Sequence, residues 1–334
     1  MSETDAATWA EAIRGGDRRA LARAITLIES TRPDHRAEAE RLLEGLLPHA
    51  GKSVRIGISG APGVGKSTFI ENFGLHLLDQ GRRLAVLAVD PSSSRGGGAI
   101  LGDKTRMQEL GRREEAFIRP SPSGGTLGGV ARRTREAVLA CEAAGFDVVV
   151  IETVGVGQSE YAVRDLADMF VLLVAPGGGD DLQGIKRGII EIADLLVVNK
   201  ADGDLKTTAE QTRAQYQSAL YLMRPLSPHW TPVVLAASAL TGDGIPEVWN
   251  SVSAYRAAMD GAGEIDQRRS AQAIAWMWAE VSETLEARLR AAPDVAKRLP
   301  DVESKVASGH LSPTAAAAEL LTVFLDSSPD NNEL

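Results

Sequence analysis

Gly60-Ala61-Pro62-Gly63-Val64-Gly65-Lys66-Ser67 decides how this chain of 334 residues is read. The spacing is G-x-x-x-x-G-K-[ST], a loop whose glycines let backbone N–H groups converge on phosphate oxygens. The apolar run Val54–Ser59 before it reads as a buried strand, and Lys66–Gln80 after it reads as a helix. The motif needs that strand–loop–helix setting, because the helix start adds the positive end of its dipole. In such a loop Lys66 reaches the β- and γ-phosphates and the Ser67 hydroxyl ligands Mg²⁺.

Outward from the loop, apolar runs recur at Val54–Ser59, Leu84–Asp90, Phe117–Arg119, Phe146–Glu152, Met169–Ala175, Leu195–Asn199 and Val233–Ala237. Helical stretches lie between most of them. This alternation predicts an α/β fold with a mostly parallel sheet and helices on both faces, flanked by N- and C-terminal helical extensions. The expected boundaries are a helical extension over 1–50, the P-loop domain over 51–260, a helical region over 261–326 and a disordered tail over 327–334. In the first segment Leu21, Ile25 and Ile28, then Leu42, Leu43, Leu46 and Leu47, recur at helical spacing, with a break at Arg32-Pro33-Asp34. Residues 264–291 read as one helix. Its Trp276 and Trp278 are two apart, so apolar surface faces more than one side, which fits contact with its own domain and with a partner subunit. One broad core-facing stripe is the alternative. Pro293 and Pro300 are expected to break the chain, and Ser312-Pro313 to start a last helix through Leu325.

Ligands of open parallel sheets bind at the carboxyl ends of the strands. Asp90, followed by Pro91-Ser92-Ser93, stands at such an end, where a carboxylate holds a metal-bound water or activates the attacking one. Asp103 is a further carboxylate for the metal shell, with a solvated surface charge as the plain alternative. Asp147–Gly155 ends an apolar run in Glu152, placing that carboxylate beside Mg²⁺ and the Gly155 N–H at a γ-phosphate. Loss of that phosphate would release the loop Val156-Gly157-Gln158-Ser159, a switch. Asn199-Lys200-Ala201-Asp202 is the N-K-x-D pattern that reads guanine. The Asp202 carboxylate accepts from N1–H and the 2-amino group, a pair adenine does not offer, while Asn199 and Lys200 brace the loop. Ser238-Ala239-Leu240 matches the loop whose backbone N–H meets the guanine 6-oxygen.

Composition narrows the alternatives. With 36 Lys+Arg against 45 Asp+Glu the net charge is −9, and the absence of a basic block argues against nucleic acid or an anionic membrane as partner. The lone Cys141 excludes a disulfide framework and reads as a small core residue. His35, His49, His76, His229 and His310 lack ligand spacing, which argues against a protein-built transition-metal site. No apolar stretch is long enough to span a bilayer, and the acidic start lacks a signal core, so a cytoplasmic chain is expected.

The wording G-A-P-G-V-G-K-S-T, A-V-D-P-S-S, E-T-V-G-V-G-Q-S-E and N-K-A-D resembles the MeaB family of metallochaperone-type GTPases, over roughly residues 10–325. The resemblance implies slow GTP hydrolysis that a partner accelerates. That partner is an adenosylcobalamin-dependent acyl-CoA mutase, chiefly methylmalonyl-CoA mutase, whose cofactor loading the GTPase gates and which it protects from inactivation. It also implies GTP/GDP and Mg²⁺ as ligands and a homodimer formed through the C-terminal helices. On matching positions it places Gly63, Val64, Gly65, Lys66, Ser67 and Thr68 at the phosphates, Asp90 and Glu152 at metal and hydrolysis, and Gln183 and Lys186 in a mobile switch. A phosphate-loop kinase for a small molecule is disfavoured by N-K-A-D, and a nickel-insertion GTPase by the scarcity of histidine and cysteine. A protein-targeting GTPase is disfavoured by the lack of a methionine-rich domain.

Overall fold

The computed structural model describes residues 3–30, 32–89, 107–120, 127–153, 159–177 and 187–326. Asp90, Asp103, Gly155, Gln183, Lys186 and the tail from 327 lie outside them. The chain divides into two compact units, Met1–Ser270 and Ala271–Leu334.

The first unit is built on a seven-stranded sheet. Its strands are β1 (Val54–Gly60), β2 (Leu84–Val89), β3 (Ala116–Arg119), β4 (Val148–Thr153), β5 (Met169–Val174), β6 (Leu195–Val198) and β7 (Val233–Ala236). They run in the order β3-β2-β4-β1-β5-β6-β7, and every pair is parallel. Strands β2, β4, β5 and β6 are buried at every residue, whereas the edges β3 and β7 are partly open. Continuous apolar runs mark strands covered on both faces, which is why they stand out in the sequence.

The helices of this unit are α1 (Glu3–Arg14), α2 (Arg18–Ile28), α3 (Pro33–Leu46), α4 (Lys66–Asp79), α5 (Gln108–Arg112), α6 (Leu127–Ala143), α7 (Ser159–Arg164), α8 (Arg187–Glu191), α9 (Lys206–Tyr221) and α10 (Ile245–Gly261). On one sheet face Ile56, Ile58, Val150 and Val171 share a core with Phe69 and Phe73 of α4 and Trp249 of α10. Helices α2 and α3 pack on α6, so the N-terminal extension joins the first unit through that helix. Cys141 of α6 is fully buried, and burial raises its thiol pKa, which agrees with the core role expected of it.

Two features differ from the sequence reading. The N-terminal segment holds three helices, because Gly15-Gly16 turns the chain and Asp17 caps α2, accepting from Arg19 N at 2.8 Å and Ala20 N at 3.1 Å. In the second unit α12 (Pro293–Ala307) continues through Pro300. Pro293 starts that helix at a position where the missing N–H costs nothing. Pro300 removes one internal bond, but Val295 and Val302 are buried on a helix packed against α13 (Pro313–Asp326). That packing holds the helix together across the proline. The helix α11 (Glu264–Ala291) has the expected bounds.

The amino ends of the strands are tied by buried charge. Asp168, before β5, accepts from Arg55 N at 2.9 Å and from Arg269 Nε and Nη2 at 2.7 and 2.6 Å. Arg55 of β1 makes a two-pronged pair with Glu142 of α6, both bonds 2.8 Å, and Gly51 N adds a third donor at 2.8 Å. Arg55→Met leaves the Glu142 carboxylate buried without its guanidinium, which should cost about 3–5 kcal/mol of stability. Adding Glu142→Leu should recover most of that loss, as read by denaturant unfolding of the single and double variants. Equal losses in both would contradict a buried-charge origin.

Candidate nucleotide-binding site

The site lies at the opposite, carboxyl ends of the strands. After β1 the loop leaves Ala61, Pro62 and Gly63 exposed while Val64, 2% exposed, anchors it in the core. Gly65 takes φ 94°, and a Cβ there would stand 2.8 Å from Asn199 Nδ2. Gly60 leads into the loop with a φ of 156°, where a Cβ would meet the Leu173 carbonyl at 2.5 Å. The glycines of the motif therefore serve close backbone approach as well as curvature.

Lys66 Nζ donates to the Gly60 carbonyl at 2.7 Å, so the ammonium lies over the loop. Burial pulls its pKa below the usual lysine range, and the Glu152 and Glu160 carboxylates oppose that shift. Ser67 Oγ donates to Glu152 Oε1 at 3.3 Å. The β1–β4 register, Ile58 opposite Glu152, sets this pairing, because it brings the end of β4 alongside the loop. Behind it Ser59 and Thr153 join hydroxyls at 3.0 Å, both buried. A hydroxyl and a carboxylate are hard oxygen donors of the kind Mg²⁺ prefers, with phosphate and water completing its shell. Among the described residues no group of three or more His, Cys, Asp and Glu forms a protein-only metal cage.

After β6, Asn199 is fully buried and bonded at both ends of its carboxamide. Nδ2 donates to the Val64 carbonyl at 2.9 Å, and Oδ1 accepts from Ala239 N at 3.0 Å. Lys200 adopts φ 62°, uncommon for a residue with a side chain, and its Nζ donates to the Gly63 carbonyl at 2.7 Å. The Ala201 N–H is fixed by the Ala237 carbonyl at 3.0 Å. Ser238 Oγ donates to Asp202 Oδ2 and accepts from Leu240 N at 3.2 Å and Thr241 N at 3.1 Å.

The residues named from sequence thus fall into two clusters. Gly60–Thr68 lie with Glu152, and Asn199, Lys200 and Asp202 lie with Ser238, Ala239 and Leu240. Asn199 and Lys200 join the clusters, as the bracing role requires. The Ala239 and Leu240 N–H groups, one of which was expected at the guanine 6-oxygen, donate here to Asn199 and Ser238. Sequence reasoning missed Asn72 of α4, whose Nδ2 donates to the Ala239 carbonyl at 2.7 Å. It lies beyond the phosphate-loop motif and carries no pattern of its own.

The family model described as "Methylmalonyl Co-A mutase-associated GTPase MeaB" matches residues 21–294. A putative GTPase of Caulobacter vibrioides is 57% identical over 92% of this chain and 94% of its own length. A mouse protein described as "Methylmalonic aciduria type A homolog, mitochondrial" is 51% identical over 92% of this chain and 77% of its length. A crystal structure described as an "LAO/AO transport system kinase" superposes with a TM-score of 0.78 at 38% identity, covering 98% of this chain and 99% of the other. The chain belongs to the MeaB family of methylmalonyl-CoA mutase-associated GTPases and is itself a GTPase.

Proposed function

We propose that the chain is a G-protein chaperone for an adenosylcobalamin-dependent acyl-CoA mutase, with methylmalonyl-CoA mutase as the first candidate. It gates cofactor loading and protects the mutase from inactivation. The observation that carries this reading is the match to the mutase-associated family model over residues 21–294. The likeness to the methylmalonic aciduria homolog supports it over 92% of the chain. In this reading the chain acts in the cytoplasm. No described helix is long and apolar enough to cross a membrane. The second unit supports a homodimer through the C-terminal helices: Ile274, Met277, Trp278 and Leu285 on α11 are more than half exposed, an apolar face that a second copy would cover.

In the proposed mechanism, backbone N–H groups of Gly63–Thr68 cradle the phosphates and Asp202 reads the guanine edge. Ser67 and Glu152 would hold Mg²⁺, which when bound would offset phosphate charge and help orient the terminal group. Water attacks the γ-phosphorus in line, the bond to the β-phosphate oxygen breaks, and GDP and phosphate leave. Lys66 offsets the charge that grows on the phosphoryl oxygens. Asp90 and Glu152 serve metal and hydrolysis, Asp103 the metal shell, and Gly155 the γ-phosphate contact. A kinase for a small molecule is the second reading, favoured by the likeness to a protein described as a transport system kinase. Transfer of the γ-phosphate from GTP to an added small molecule beside its hydrolysis would support that second reading, and hydrolysis alone would remove it.

Asp202→Asn replaces an acceptor by an amide. GTP affinity should fall by roughly tenfold or more, a charge-assisted pair being lost, while XTP, whose C2 carbonyl accepts, should gain. Calorimetry with the two nucleotides reads this, and an unchanged preference would remove Asp202 from the site. For the partner, light scattering after gel filtration should give a dimer for the chain alone and a joint complex with methylmalonyl-CoA mutase. GTP turnover should rise on mixing. A monomer would remove the homodimer, and absence of both complex and stimulation with any such mutase would remove the chaperone reading.

A further inference from the structure

We propose that Asn72 is a positioning residue for guanine recognition: through the Ala239 carbonyl it orients the Ala239–Leu240 peptide, which lies in the loop beside Asp202. This rests on the reading of Asp202 and Ser238–Leu240 as the base-side cluster.

The Ala239 peptide groups are held from two directions. Its N–H donates to Asn199 Oδ1 at 3.0 Å, and its carbonyl accepts from Asn72 Nδ2 at 2.7 Å. The Asn72 amide also faces the Thr68 carbonyl one turn earlier at 3.4 Å. Two carbonyl partners define which end of the carboxamide points there, since the flipped side chain would set its oxygen against both. Ala239 itself is buried and Asn72 half-buried, so the bond is partly shielded from water.

The connectivity gives the bond its role. Helix α4 begins at Lys66, directly after the phosphate loop. Val64 of that loop bonds Asn199, Asn199 bonds Ala239, and Ala239 bonds Asn72 back on α4. A ring of hydrogen bonds thus runs from the phosphate loop to the base-side loop and returns to the helix that carries Ser67. Asn72 is the one member of that ring outside the phosphate-loop, N-K-A-D and S-A-L motifs. Without its donor the Ala239 carbonyl has one partner fewer, and the loop keeps only the Asn199 bond at Ala239 and its internal bonds to Ser238.

The test is nucleotide affinity of Asn72→Asp, which keeps the side-chain shape but puts an oxygen where the donor was, and of Asn72→Ala. Both should weaken GTP and GDP by roughly three- to tenfold while ATP affinity stays within roughly twofold, so that guanine selectivity falls. kcat at saturating GTP should hold, so the loss appears in KM. Asn72→Gln, which retains an amide donor, should lie nearer the original. Should Asn72→Asp not fold, Asn72→Ser is read by the same ratio. An equal loss for GTP and ATP, or no loss for either, would overturn the proposal. Asp202→Asn measured alongside separates the failures. If it shifts preference and Asn72→Asp does not, only the positioning role is lost. If neither shifts preference, the base-side reading falls and the proposal with it.

Discussion

The bond pair made by the Asn199 carboxamide is the constraint on which the rest of the site depends. One end holds the Val64 carbonyl of the phosphate loop and the other holds the Ala239 N–H of the base-side loop. The side chain has no exposure to water, so both bonds form in a medium where an unpaired polar group is costly. A single short side chain thereby ties the loop assigned to phosphates in the proposed function to the loop assigned to the base. Gly65 is required by the same contact, because any side chain there would collide with the amide.

That constraint works only because both loops grow from rigid ground. Strands β1, β6 and β7 present their carboxyl ends at one end of the sheet, and at the other end β1 and the start of β5 are tied down by Asp168 and the Arg55–Glu142 pair. One end of the sheet is thus devoted to charge pairs buried within the fold, and the other to groups that still have bonding capacity. Lys66 and Ser67 belong to the second kind: they bond the loop and Glu152, yet each retains donors or lone pairs for a ligand.

Much of this was legible in the sequence because the decisive signals are local. The phosphate loop, N-K-A-D and S-A-L each occupy a few consecutive residues, and fully covered strands appear as apolar runs. What was hidden depends on distance. The Asp168–Arg269 pair spans 101 positions and the Arg55–Glu142 pair 87, and nothing in either neighbourhood announces a partner. Asn72 looks like any polar residue on a half-covered helix until the fold brings Ala239 to it, 167 positions away. The first segment is helical as expected, but its division at Gly15-Gly16 was missed because the buried described residues of α1 are Ala6, Ala10 and Ile13, a weak apolar stripe. Pro300 misled because the local rule against proline in a helix yields to packing of Val295 and Val302.

The coupling of the two loops through Asn199 is tested most directly by calorimetric binding of GTP and of inorganic tripolyphosphate to Asn199→Ala. Tripolyphosphate has no base, so it reports on the phosphate loop alone. With the bridge in the role described, both ligands weaken together, each by roughly tenfold or more, because the Val64 carbonyl and the loop it belongs to lose their buried partner. Tripolyphosphate binding that matches the original while GTP alone weakens would contradict it, and would mean that the two loops hold their positions independently.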